Sequence, residues 1–178
     1  MADGKRHAAV GRAIISVATL MAVGVAAIPV VTEADEDVLA TTIILSVSFV
    51  AGAVMGYVIT PDIDHDWYTV EEQRIKHATN AAVLGLWKLF WLPFVMAKHR
   101  SRVTHSWPLA TVLKLAWLLF WIAVAVAAIS DVLDISVSQA ARDAAPLIIL
   151  SIIPFFAGWS VQDLVHLAMD GMIIKKKG

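Results

Sequence analysis

Four long apolar runs alternate with polar segments along the chain. The first, residues 13–31, follows a short basic start that holds Lys5, Arg6 and Arg12. The second, 38–59, carries no charge. The third, 108–129, has Lys114 near its entry and Trp117 and Trp121 along one face. The fourth, 144–161, has Pro146 in its first turn and an expected bend at Pro154. At about 1.5 Å per residue, each run is long enough for a hydrocarbon core of about 30 Å. A secretory signal is the competing reading of the first run. Its length and the acids that follow it, Glu33, Asp35, Glu36 and Asp37, weigh against that reading. A shorter run, 81–96, is apolar except for Lys88, carries Trp87 and Trp91 one helical turn apart, and contains Pro93. Tryptophan favours the headgroup level, so this run predicts an interfacial helix or a re-entrant segment, with a buried core helix as the alternative.

The expected fold is therefore all-α: one polytopic membrane domain over 1–178, with four transmembrane helices and a polar loop at 60–107. Lys114 is expected to snorkel toward the headgroups. Gly52 and Gly56 form a G-x-x-x-G pair, which either lets a second backbone approach or reflects a helix rich in small residues.

Composition agrees. The chain is 59% hydrophobic and 16% charged, with a mean hydropathy of +0.74, too apolar for an ordinary soluble domain. A net charge of −1 offers no argument for nucleic acid. The connection at 32–37 has no lysine or arginine and the one at 130–143 has only Arg142, whereas basic residues gather at both termini and in 60–107. The positive-inside tendency then places both termini and the long loop in the cytoplasm, at an inner membrane. Cysteine is absent, which excludes disulfides and thiolate ligands. A metal would have to use imidazole nitrogen and carboxylate oxygen, which suits zinc, manganese, iron or magnesium.

Three polar clusters border the runs. Asp62, Asp64, His65 and Asp66 follow Thr60-Pro61 at the end of the second run. Neighbouring carboxylates repel unless a cation or proton lies between them, although a solvated helix start explains one or two acids. His99, Arg100, Arg102 and His105 precede the third run. Arginine can grip a phosphate with two parallel hydrogen bonds, and a basic loop on anionic lipid headgroups is the alternative. Asp163, His166 and Asp170 follow the fourth run at helix spacings of three and four. They share a helix face about 60° wide, so an imidazole and a carboxylate there can reach one ion. A polar stripe facing headgroups is the alternative. With four spans, every histidine falls on the cytoplasmic side.

The residues Pro61-Asp62-Ile63-Asp64, Trp87 to Trp91, His99-Arg100 through Thr104-His105-Ser106, and His166 with Asp170 form an ordered pattern. In it the chain resembles bacterial and archaeal inner-membrane metal-dependent hydrolases and related metal-binding membrane proteins. The resemblance implies metal ligation by Asp62, Asp64, His99, His105, His166 and Asp170, with His7 matching an early histidine found in many members. Ser101 stands where many members have glycine.

The expected function is a membrane-embedded metal-dependent hydrolase acting on a phosphoester in a lipid or lipid-linked substrate. It would use one or two divalent ions: zinc, manganese or magnesium. Arg100 and Arg102 would steady the anion, and Asp66 or Asp163 would serve as general base. The competing expectation is a non-enzymatic scaffold pinned by its metal. Membrane lipid is the expected partner, and a homo-oligomer is compatible with the sequence.

Overall fold

The computed structural model describes residues 4–60, 70–97, 101–133 and 137–171. Eight helices follow in order: α1 (Gly4–Val31), α2 (Glu36–Val58), α3 (Val70–Ala78), α4 (Ala81–Phe90), α5 (Leu92–Val95), α6 (Arg102–His105), α7 (Leu109–Leu133) and α8 (Val137–Met169). No strand occurs among the described residues. Four of these helices, α1, α2, α7 and α8, are long and apolar enough to cross a membrane, and α4 is the shorter apolar helix.

The helix ends follow local chemistry. The basic start belongs to α1, because alanine, lysine and arginine favour helix and no proline intervenes before Pro29. Two residues beyond α1, Glu33 takes a positive φ of 51° and turns the chain. Asp35 then caps α2 by accepting the Val38 N–H at 2.8 Å, with Glu36 and Asp37 near the positive end of the helix dipole. α2 stops before Thr60-Pro61, where proline biases its predecessor away from helix. The expected single element at 81–96 is divided at Trp91. Pro93 lies at the start of α5, a position where its missing N–H costs little, and it cannot continue α4. α8 starts earlier than the expected run, at Val137, and runs on past Asp163 and His166 to Met169, as their helix spacing predicts.

α2 and α8 run parallel and meet backbone to backbone. A Cβ placed on Gly52 would lie 1.9 Å from the Phe155 carbonyl oxygen, and one on Gly158 would lie 2.0 Å from that of Phe49. A Cβ on Gly56 would strike Trp159 at 2.8 Å. The G-x-x-x-G pair is therefore a close-approach surface whose partner is α8. In an apolar solvent such contact relies on van der Waals packing, which small residues permit. α1 packs antiparallel against α2, and α7 joins α8 through its first turns. The N-terminus of α1, the C-termini of α2 and α8 and the start of α7 therefore share one end of the bundle.

At that end Ile59, Trp91, Phe94, Leu115 and Trp159 form the buried cluster. Trp91, expected at the headgroup level, is instead a core side chain, 1% exposed. The Trp117 indole donates to the Phe90 carbonyl at 2.9 Å and ties the end of α4 to α7. One face of α4 thus lies against the bundle, while Leu86 and Leu89 on the other are exposed. Elsewhere the long helices present apolar side chains outward, among them Leu20, Val31, Ile149 and Ile153. That pattern fits a bundle solvated by hydrocarbon.

Gly158→Val should force α2 and α8 apart and destabilise the protein by about 3 kcal/mol or more, as overpacking of a tight contact does. Gly24→Ala, with nothing within 4 Å of the added carbon, should be neutral or slightly stabilising. Thermal unfolding of detergent-purified protein, followed by circular dichroism, measures both.

Candidate metal centre

The antiparallel pairing of α1 with α8 builds the centre one helical turn at a time. Gly11 on α1 has no side chain, which leaves room for the Tyr57 ring: a Cβ there would lie 2.5 Å from Tyr57 Cδ2. The Gln162 side-chain amide donates to the Gly11 carbonyl at 3.0 Å in a buried contact. One turn before Gly11 on α1 stands His7, and one turn after Gln162 on α8 stands His166. The two imidazoles meet edge to face, with ring centroids 4.3 Å apart and Nδ1 atoms 3.1 Å apart. One further turn along the chain brings Asp170, whose N–H donates to the His166 carbonyl at 3.1 Å. Its carboxylate lies 3.4 Å from His7 Nε2 and 3.5 Å from His166 Nε2.

Two imidazoles and a carboxylate thus face one point. Their side chains are only 11%, 9% and 6% exposed for His7, His166 and Asp170. One ligand atom from each can be chosen so that all three lie within 4.8 Å of one another. A four-coordinate ion with bonds of about 2.1 Å sets its ligands about 3.4 Å apart, a gap that side-chain rotation can close. The donor set is the nitrogen and oxygen chemistry that zinc, manganese or iron accepts. The residues therefore fit a divalent ion.

The remaining expected residues separate. His166 and Asp170 come together with His7, which the resemblance alone had suggested. Asp62, Asp64, Asp66, His99 and Arg100 lie outside the described residues, as does the Arg102 side chain. His105, at the end of α6, is buried and lies outside the group of three. Its Nδ1 is 2.9 Å from the Thr104 hydroxyl, which in turn lies 3.2 Å from the Ser101 hydroxyl. This contact orients the ring and directs any further ligation to Nε2, the arrangement seen when a second partner holds a ligand histidine.

Asp163 is engaged by α7 rather than by the histidines. Lys114 Nζ donates to its two carboxylate oxygens at 3.0 and 2.8 Å, and the Thr111 hydroxyl donates to Oδ2 at 2.6 Å. The expectation that Lys114 snorkels to headgroups is corrected: the side chain is fully buried. The physical reason is a carboxylate at matching depth on the neighbouring helix. Pairing two charges costs less than stretching one past an apolar neighbourhood. A lysine and an aspartate at the same end of adjacent spans were the sequence signal for this pair. For His7 the signal was weaker, because residues 4–12 read as a polar arm rather than the first turns of α1.

A family model described as "Uncharacterized metal-binding protein (DUF2227)" matches residues 2–177. No curated protein and no solved structure matches the chain. The match spans nearly the whole chain, which belongs to this family of metal-binding proteins.

His7→Ala and His166→Ala should each lower the affinity for Zn2+ or Mn2+ about tenfold or more, since each removes a ligand rather than a neighbour. His77→Ala, on the exposed side of α3, should leave it unchanged. Metal content after dialysis and titration calorimetry of the purified protein measure these effects.

Proposed function

We propose that this metal-binding protein is a membrane-embedded hydrolase of a phosphoester in a lipid or lipid-linked substrate. The observation that carries the reading is the group His7, His166 and Asp170. Among the described residues two imidazoles and one carboxylate converge, three ligands being the number that catalytic zinc sites use. In this reading Asp62, Asp64, His99 and His105 would hold a second ion beside the first. A divalent ion held there supplies Lewis acidity toward a phosphoryl oxygen and activates water.

The chain's own residues divide the remaining work. His166 in the last turn of α8 and Asp170 just past its end, tied back by its N–H to the His166 carbonyl, hold their half of the centre. Arg100 and Arg102 bind the substrate's anionic oxygens, the task for which a guanidinium fork is suited. Asp66 is the better candidate for the general base, because Asp163 is already committed to Lys114 and Thr111. The centre faces the cytoplasm in this reading, as the basic residues at both termini and in 60–107 support. A substrate that reaches a site at the end of four apolar helices is most simply a lipid.

A second reading is a metal-pinned scaffold, and one observation favours it. The group joins α1 to α8, so an ion there would cross-link residues 159 positions apart in sequence. Such a cross-link stabilises a fold whether or not any substrate binds.

Purified protein loaded with Zn2+ or Mn2+ should hydrolyse a generic phosphodiester. His166→Ala, His105→Ala and Asp62→Asn should each reduce turnover by at least a hundredfold and lower metal content. Metal binding that is lost in these variants, in a wild-type protein with no turnover of phosphodiester or lipid-phosphate substrates, would favour the scaffold. Unchanged metal content in all three variants would remove both readings.

A further inference from the structure

The ion pair of Lys114 and Asp163 lies outside the centre, yet it touches three elements. Lys114 on α7 reaches both carboxylate oxygens of Asp163 on α8, and its Nζ also lies 3.4 Å from the carbonyl of Ile59 at the end of α2. The ammonium sits 5.6 Å from the centre of the Trp159 ring. Thr111, Lys114 and Asp163 are all essentially sealed from solvent. An isolated buried pair of this kind is weak evidence for stability, because taking two charges out of water offsets most of their attraction. What it supplies over an apolar contact is direction. Hydrogen bonds fix angles and distances, whereas methyl groups slide.

Two positions are fixed by that direction. Asp163, His166 and Asp170 share one face of α8, so anchoring Asp163 to α7 sets the rotation that turns His166 and Asp170 toward His7. The last carbonyls of a helix lack partners within it, and Pro61 has no N–H to help close the end of α2. Lys114 gives the Ile59 carbonyl a charged donor at the negative end of the helix dipole. Asp62 begins three positions later in the sequence.

We propose that Lys114 is a positioning residue for the metal centre. Held by Asp163 and Thr111, it sets the rotation of α8 beneath His166 and Asp170 and ties that helix to the end of α2 at the Ile59 carbonyl. This rests on the reading of His7, His166 and Asp170 as metal ligands.

The test uses Co2+ as probe with the full chain in detergent. Its visible absorption reports ligand number and geometry, and titration reports affinity. The double variant Lys114→Met/Asp163→Leu replaces the pair with apolar side chains and leaves no buried charge alone. It should keep wild-type helicity yet bind Co2+ at least tenfold more weakly with an altered spectrum. Thr111→Val, which removes one hydrogen bond to Asp163, should weaken binding severalfold and decides the matter if the double variant does not fold. Wild-type affinity and spectrum in the folded double variant, or in Thr111→Val where that variant alone folds, would overturn the proposal. His7→Ala serves as the separate control. If it loses Co2+ binding while the Lys114 and Thr111 variants do not, the centre stands and the positioning role falls. If His7→Ala also binds normally, the ligand reading fails first and this proposal falls with it.

Discussion

The contact between the backbones of α2 and α8 is the constraint on which the other helices depend. Gly52, Gly56 and Gly158 remove the side chains that would hold the two axes apart. Once they touch, Trp159 is pressed into the cluster with Ile59 and Trp91. The end of α2 comes within reach of Lys114, and α8 presents Gln162 and His166 to α1. In a hydrocarbon surrounding, packing of this closeness does what water exclusion does for a soluble core. Polar contacts at the same end then add the direction that packing lacks.

Those polar contacts lie in two layers. The deeper one, Lys114 with Asp163 and Thr111, joins α7 to α8 and reaches the Ile59 carbonyl at the end of α2. The shallower one, His7 with His166 and Asp170, joins the first long helix to the last. Between them Gln162 bonds the Gly11 carbonyl and keeps α1 and α8 in register. The order along α8 is Gln162, Asp163, His166 and Asp170, so a single helix supplies every layer. Its length of 33 residues corresponds to about 50 Å, more than a hydrocarbon core requires. The turns that carry the histidine and the last aspartate can therefore stand beyond the apolar slab without interrupting the span.

This layering separates stability from chemistry. The glycine contact and the buried cluster join the helices by apolar packing. The centre sits at the rim, where two of its three side chains come from one helix and the third from a helix that packs mainly on α2. An ion at the centre therefore has little folding work to do on α8 and more on the first turns of α1. That asymmetry is compatible with an open catalytic site and with a pin, and it is why metal binding and turnover are separate questions for this fold.

Much of the architecture was legible in the apolar pattern. Run lengths identified four helices of membrane-spanning length, because hydrocarbon thickness dictates them. The uncharged run 38–59 located α2, Thr60-Pro61 marked its end, and the spacing of His166 and Asp170 put them on one face, since helix period alone decides that. Tertiary structure decided the rest. It drew His7 into the centre, because only the register of α1 against α8 sets two imidazoles that far apart in sequence edge to face. It took Asp163 out of the centre, because a lysine on another helix lay at the same depth. It placed Trp91 in the core rather than at the headgroup level, because Ile59, Leu115 and Trp159 from three other parts of the chain pack around it. Periodicity records which face of a helix a residue occupies, but the identity of the neighbour on that face is set by how helices distant in sequence pack together.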